Sequence, residues 1–155
     1  STAPEVLRAA HEKGLTVALN PSPFSAEILS WPLECVDIFL VNEIEGEALS
    51  GESAPEKILD TLRRRFPRAA IVLTLGHDGA MYADQTESFS VPAHRVTVVD
   101  TTAAGDTFTG YFLAMLLRGG TPKDSMEIAA KAAAIAVTRP GAVPSIPRLE
   151  ETLRQ

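Results

Sequence analysis

The sequence predicts an α/β fold, a mostly parallel sheet flanked by helices with a short antiparallel β edge. Short runs of consecutive apolar residues alternate with longer stretches of helical spacing, as in strands buried on both faces and joined by crossover helices. Each of the first three runs stops at a breaker: Asn20-Pro21 after the first, Asn42 after the second, Gly76 after the third. Between residues 80 and 99 the β-rich runs lie too close together for intervening helices, which points to antiparallel pairing.

The elements follow in order. Pro4-Glu5 with Val6, Leu7 and Ala10 reads as a helix carrying an early proline and ending at Gly14. Leu15 to Leu19 reads as a buried strand, and Val36 to Val41 as a second. A helix from Glu43 to Ser50 closes at Gly51, and another, opened by Ser53 and Pro55, runs to about Arg65. Ala70 to Leu75 is the third strand. Ala80 to Ala83, Ser88 to Val91 and Val96 to Val99 read as short strands joined by turns. The main helix is expected from Asp106 to about Arg118, ended by Gly119-Gly120-Thr121-Pro122. An Ala-rich helix from Lys123 to about Thr138 should pack closely on a neighbour. Arg139 to Ser145 reads as a loop and Leu149 to Leu153 as a short helix. No repeat, low-complexity stretch or linker interrupts this, so residues 1–155 read as a single domain.

Composition excludes several function classes. Apolar residues make up 45% and charged residues 22%, ordinary for a soluble globular protein. No apolar run approaches the ~20 residues that span a bilayer, and no signal-peptide pattern opens the chain. The single Cys35 forms no internal disulfide, which fits a reducing cytoplasm; a small buried hydrophobe is its plainer reading. The net charge of −6, without a basic stripe, disfavours nucleic acid and anionic membranes. Arg63, Arg64, Arg65 and Arg68 read as a solvated helix face, with Asp60 and Arg64 spaced to pair.

The most informative stretch is Asp100-Thr101-Thr102-Ala103-Ala104-Gly105-Asp106-Thr107-Phe108, which follows the apolar Val96 to Val99. A turn of small residues leads into an apolar helix. Small side chains leave N–H groups uncovered, and the first turn of a helix adds positive potential, so Ala103, Ala104 and Gly105 form a candidate anion hole. Asp106 beside it is placed for a base that takes a proton from an attacking hydroxyl. Together these suggest phosphoryl transfer to an alcohol. An acid in a first turn also serves simply as a dipole partner, and small residues also serve close packing. Asp100 and two Thr hydroxyls on the same turn supply more oxygen ligands than packing needs.

These nine residues resemble the C-terminal signature of the ribokinase-like (PfkB) sugar kinases, commonly Asp-Thr-x-Gly-Ala-Gly-Asp-x-Phe. Ala103 stands where many members carry glycine. The resemblance runs through essentially the whole chain and implies further site residues. Asn42 and Glu45 match an Asn-x-x-Glu motif that organises Mg²⁺, its waters and nucleotide phosphates; without the resemblance, an N-cap followed by a first-turn acid explains them as well. Thr74, Leu75, Gly76, His77, Asp78 and Gly79 fall where the family lines its ATP site, although Gly-x-x-Gly alone is more often a plain turn and this is neither a dinucleotide fingerprint nor a Walker loop. Ala130 falls where ribokinases place a side chain against adenine, and its small size weakens that contact. Asp100, Thr102, Ala136, Arg139, Gly141 and Ser145 match the surroundings of a monovalent cation, normally K⁺; physics alone favours a Pro- and Gly-rich loop without an ion. Asn20-Pro21-Ser22-Pro23 resembles a structural turn after a strand in these kinases.

The resemblance implies ATP along the rim formed by the carboxyl ends of the strands, Asp106 as base, and a sugar hydroxymethyl group as acceptor, most simply that of ribose. The family's sugar-binding half, with its Gly-Gly motif and β lid, finds no match here. The expectation is therefore the C-terminal nucleotide-binding half of a sugar kinase, binding ATP or ADP and turning over no sugar alone, its full-length form a cytoplasmic homodimer. Two rivals remain at this point: a non-catalytic nucleotide-binding or assembly module, which needs no base, and a dinucleotide-dependent oxidoreductase, which lacks its glycine fingerprint here.

Overall fold

A computed structural model of the chain describes residues 2–154. Five strands form one sheet in the order β1 (Ala18–Leu19), β2 (Ile38–Asn42), β3 (Ala70–Thr74), β4 (Ala80–Ala83), β5 (Ser88–Val91). β1, β2 and β3 are parallel, with Ala18 beside Ile38 and Asn42 beside Thr74. The connections into β4 and β5 are too short for a parallel crossover, so these two strands form the antiparallel edge. The helices are α1 (Ala3–Glu12), α2 (Glu43–Ser50), α3 (Pro55–Arg65), α4 (Ala104–Leu117), α5 (Pro122–Val137) and α6 (Leu149–Leu153). The mostly parallel α/β class is as the sequence predicts. The chain's contacts group into two compact units, one reaching to Leu75 and including Met81–Phe89, the other combining Gly76–Ala80 with the residues from Ser90 onward.

In the first unit the sheet carries the core. β2 and β3 are apolar on both faces, and Phe39, Val41, Ile71, Val72 and Leu73 are buried. Helices α2 and α3 add Leu49, Ile58, Leu59 and Leu62, and the ring of Phe66 tilts against that of Phe39 with centroids 4.7 Å apart. Arg64 donates to the Thr61 hydroxyl at 3.3 Å rather than to Asp60. The hairpin loop turns on Asp84, which accepts the N–H groups of Thr86 and Glu87 and the hydroxyls of Thr86 and Tyr82.

In the second unit α4 and α5 pack along their length. Phe112 of α4 and Met126, Ala129 and Ala132 of α5 are fully buried, so the alanines give the close approach their size suggests. α5 opens on Thr121, whose hydroxyl accepts the Asp124 N–H at 3.1 Å, with Pro122 in the first turn.

Three expectations need correction. Val96 to Val99 is not a strand: Val96, Val98 and Val99 are exposed, and the N–H groups of Val99 and Asp100 both go to the carbonyl of Val137 at the end of α5. β-branched residues favour extended backbone, but a strand needs a neighbour, and here the available acceptor is a helix terminus. The first strand shrinks to two residues, because the Val17 N–H is taken by the Asp37 carboxylate at 2.8 Å. Helix α4 starts at Ala104, two residues ahead of Asp106. Short 3₁₀ turns at Ala26–Ser30 and Leu33–Cys35 occupy a stretch where the sequence carries no periodic signal.

Candidate active site

The start of α4 holds the catalytic candidates. Ala103 is the N-cap residue, and no side chain caps the helix. The Ala104 N–H reaches back to the Thr101 carbonyl at 3.1 Å. Among the described residues, nothing accepts from the N–H groups of Ala103, Gly105 or Asp106. The unpartnered amides are therefore those of Gly105 and Asp106, both exposed, and of Ala103, which is buried; Ala104 of the 103–105 set read from the sequence is bonded to Thr101. Asp106 joins them because the helix begins earlier than expected. A Cβ at Gly105 would meet no atom within 4 Å, so packing does not require this glycine; it leaves open space over the amides. The Asp106 side chain is exposed in the first helical turn. The arrangement offers donors and positive potential to an anion, with a carboxylate next to it.

The turn ahead of α4 is tied to a distant loop. Asp100 Oδ1 accepts the N–H of Thr102 at 2.9 Å and its hydroxyl, while Oδ2 accepts the N–H of Gly141 at 2.9 Å. The Thr102 hydroxyl, the Thr102 N–H and the Gly141 N–H, in that order, hold the Asp100 carboxyl below its ordinary value. Arg139 donates its N–H to the Ala136 carbonyl at 3.1 Å and its guanidinium to Glu151 at 2.9 Å. Ser145 is buried, its hydroxyl donating to the Ala142 carbonyl at 2.6 Å. The structure thus gathers Asp100, Thr102 and Gly141 directly, and Ala136 with Arg139 beside them. Ser145 turns to its own loop. Ala130 is buried within α5. Sequence reasoning missed Glu151, whose only advance signal was its place in a short C-terminal amphipathic stretch.

In the first unit, Asn42 and Thr74 lie side by side at the carboxyl ends of β2 and β3. Asn42 caps α2: its Oδ1 accepts the Glu45 N–H at 2.9 Å, and Glu45 Oε2 accepts the Asn42 N–H at 2.9 Å. Glu45 is buried, and its other oxygen takes no part in the cap. The Thr74 hydroxyl donates to the Val41 carbonyl at 3.4 Å, and Leu75 is partly buried.

In the second unit, Gly76–Asp78 form a 3₁₀ turn with His77 and Asp78 exposed, their side chains 3.5 Å apart. Gly79 has φ +102°, and a Cβ there would sit 2.1 Å from the Val91 carbonyl oxygen, so only glycine fits. This glycine serves the hairpin as a structural residue. Among the described residues, no group of three or more His, Cys, Asp or Glu could hold a metal ion by itself, and no helix is long and apolar enough to cross a membrane.

Residues 1–149 match the model of the pfkB family carbohydrate kinases. A ribokinase of Schizosaccharomyces pombe is 39% identical over 156 residues, covering 94% of this chain and 48% of that protein. The crystal structure of a ribokinase from Cryptococcus neoformans in complex with ADP superposes with a TM-score of 0.86 at 28% identity, over 97% of this chain and 55% of that one. A ribokinase of Arabidopsis thaliana, complexed with ribose and ATP, gives a TM-score of 0.81 at 29% identity, over 97% and 50%. The chain belongs to the pfkB family of carbohydrate kinases. It spans about half the length of the curated relatives it matches.

Proposed function

We propose that this chain is the nucleotide-binding half of an ATP-dependent sugar kinase. In the whole protein it transfers the γ-phosphoryl group of ATP to a hydroxymethyl group of a pentose, with ribose the first candidate. The observation that carries the reading is the start of α4: three unpartnered amides on Ala103, Gly105 and Asp106, with the exposed Asp106 carboxylate among them. The ADP, ATP and ribose held by the two structural relatives support it.

The steps follow from the residues. Phosphate oxygens take up the open amides, whose fixed dipoles offset charge as the phosphoryl group moves. Asp106 accepts the proton from the attacking hydroxyl, which raises the nucleophilicity of that oxygen. Asp100 fixes the turn through Thr102 and Gly141 and touches no substrate. By the family resemblance Thr74 to Gly79 would lie along the nucleotide, Gly79 also serving the hairpin, and the small, buried Ala130 would make only a weak contact with its base. The donor set at Asn42 and Glu45 fits Mg²⁺: the buried Glu45 carboxylate, with one oxygen outside the cap, would supply a hard oxygen ligand, and the ion, when bound, would neutralise phosphate charge. The carbonyl-rich loop 139–145, with Asp100, Thr102, Ala136, Arg139, Gly141 and Ser145, suits a monovalent cation such as K⁺, which would stiffen the same turn. The same resemblance supports a cytoplasmic homodimer for the whole protein.

Alone, this half binds nucleotide and leaves sugar unphosphorylated, because the family's sugar-positioning motif finds no match in it and positioning carries much of such a transfer. Asp106→Asn tests the reading in the whole protein. Turnover of ribose with ATP should fall by about 10²–10⁴-fold, with ADP affinity retained. Unchanged turnover would leave a nucleotide-binding module without a catalytic base.

A further inference from the structure

Loop 139–145 is held from two sides. On one side the Gly141 N–H reaches Asp100 at 2.9 Å. On the other, Arg139 Nη2 lies 2.9 Å from Glu151 Oε1. The second oxygen of Glu151 accepts the Arg148 N–H at 2.8 Å, so one carboxylate both caps α6 and grips the loop. Helix α6 is itself anchored. The Tyr111 hydroxyl on α4 donates to the Pro147 carbonyl at 2.7 Å and accepts from the Thr152 hydroxyl at 3.2 Å. Lys131 on α5 donates to the Arg154 carbonyl at 2.9 Å.

We propose that Glu151 is a positioning residue for the phosphate turn, acting through Arg139 and Gly141 on Asp100. The inference rests on the reading of that turn as the nucleotide site. Gly141 has φ +86°, and a glycine explores this region and others with little penalty. Its N–H points steadily at Asp100 only if the loop on either side is fixed. Pro140 has a locked φ and transmits the placement of Arg139 to Gly141. Asp100 in turn sets Thr102, two residues before the uncapped start of α4. The side chains of Arg139 and Glu151 are 37% and 42% exposed, so their pairing adds little to global stability. What it supplies is direction to a residue whose backbone has little intrinsic preference.

The test uses the 155-residue chain, labelled with ¹⁵N, with ADP as probe. Glu151→Gln keeps the shape of the side chain and an oxygen for the Arg148 N–H, but loses the charged grip on Arg139. The readouts are the amide proton shifts of Gly141 and Thr102 and the Kd for ADP. They are taken for Glu151→Gln, Arg139→Gln, the double variant, and Lys131→Met, which removes only the contact to Arg154 beyond the end of α6 and leaves the Tyr111 anchors and the Glu151–Arg139 pair in place. In both single variants the Gly141 and Thr102 resonances should move upfield and ADP binding should weaken by about 3- to 10-fold. The double variant should be no weaker than either single one, and Lys131→Met should match the parent in both readouts. Resonances unmoved in Glu151→Gln, or additive losses in the double variant, would overturn the inference. If Glu151→Gln does not fold, Arg139→Gln carries the same two readouts. If the parent chain binds no ADP, the proposed function fails, and the two resonances alone decide the positioning role: movement upholds it and constancy rejects it.

Discussion

The Asp100 carboxylate accepts the N–H of Gly141 at 2.9 Å, across 41 residues of chain. With the Thr102 hydroxyl and N–H on its other oxygen, it draws the turn before α4 and the loop after α5 into one structure. These bonds favour the ionised carboxyl and lower its pKa on folding. A lowered folded pKa means that the contribution is present above the ordinary carboxylate range and is lost as pH falls through the folded value. In urea denaturation the parent chain should therefore be more stable than Asp100→Asn near pH 7. The difference should shrink once pH falls below about 4. A difference that stays constant down to pH 2 would show that the charge contributes nothing.

Gly79 makes the sharpest steric statement in the molecule. Its φ of +102° is rarely open to L side chains, and a Cβ would stand 2.1 Å from the Val91 carbonyl oxygen and 2.9 Å from the Ala93 N–H nitrogen. Gly79→Ala should lower stability by about 2 kcal/mol or more, read as a fall in the urea midpoint with unchanged slope. A loss under about 0.5 kcal/mol would mean that β5 moves aside freely.

Asn42 and Glu45 separate a structural role from a metal-related one. Asn42→Ala removes the capping box and should cost about 1 kcal/mol. Glu45→Gln keeps an oxygen for the Asn42 N–H, so the urea midpoint should change little. If the carboxylate serves Mg²⁺, the same variant should weaken ATP binding in the presence of Mg²⁺ and leave ADP binding without it unchanged. Equal affinities with and without the ion would return Glu45 to capping alone.

Much of this was legible in the residues, for identifiable reasons. The hairpin strands Ala80–Ala83 and Ser88–Val91 and the helices Glu43–Ser50 and Leu149–Leu153 fall at the expected bounds, because short-range signals define them: flanking turn residues, an N-cap with its acid three positions on, a glycine stop. Val96 to Val99 misled because β propensity is local and strand pairing is not. α4 begins two residues earlier than the sequence suggests, because an acid such as Asp106 marks a first turn without marking its position in that turn. The link between Asp100 and Gly141 has no local signal at all; the spacing of a known family suggested it. The grip of Glu151 on Arg139 lay beyond both kinds of reading, because it depends on where α6 packs.

The most direct measurement is an ADP titration of the ¹⁵N-labelled chain followed by amide resonances. The N–H groups of Ala103, Gly105 and Asp106 should show the largest shifts, saturating together with a single Kd, while that of Ala104, already bonded to Thr101, moves less. ADP binding that saturates while those three resonances stay in place would contradict a phosphate site at the start of α4, and with it the role of Asp106.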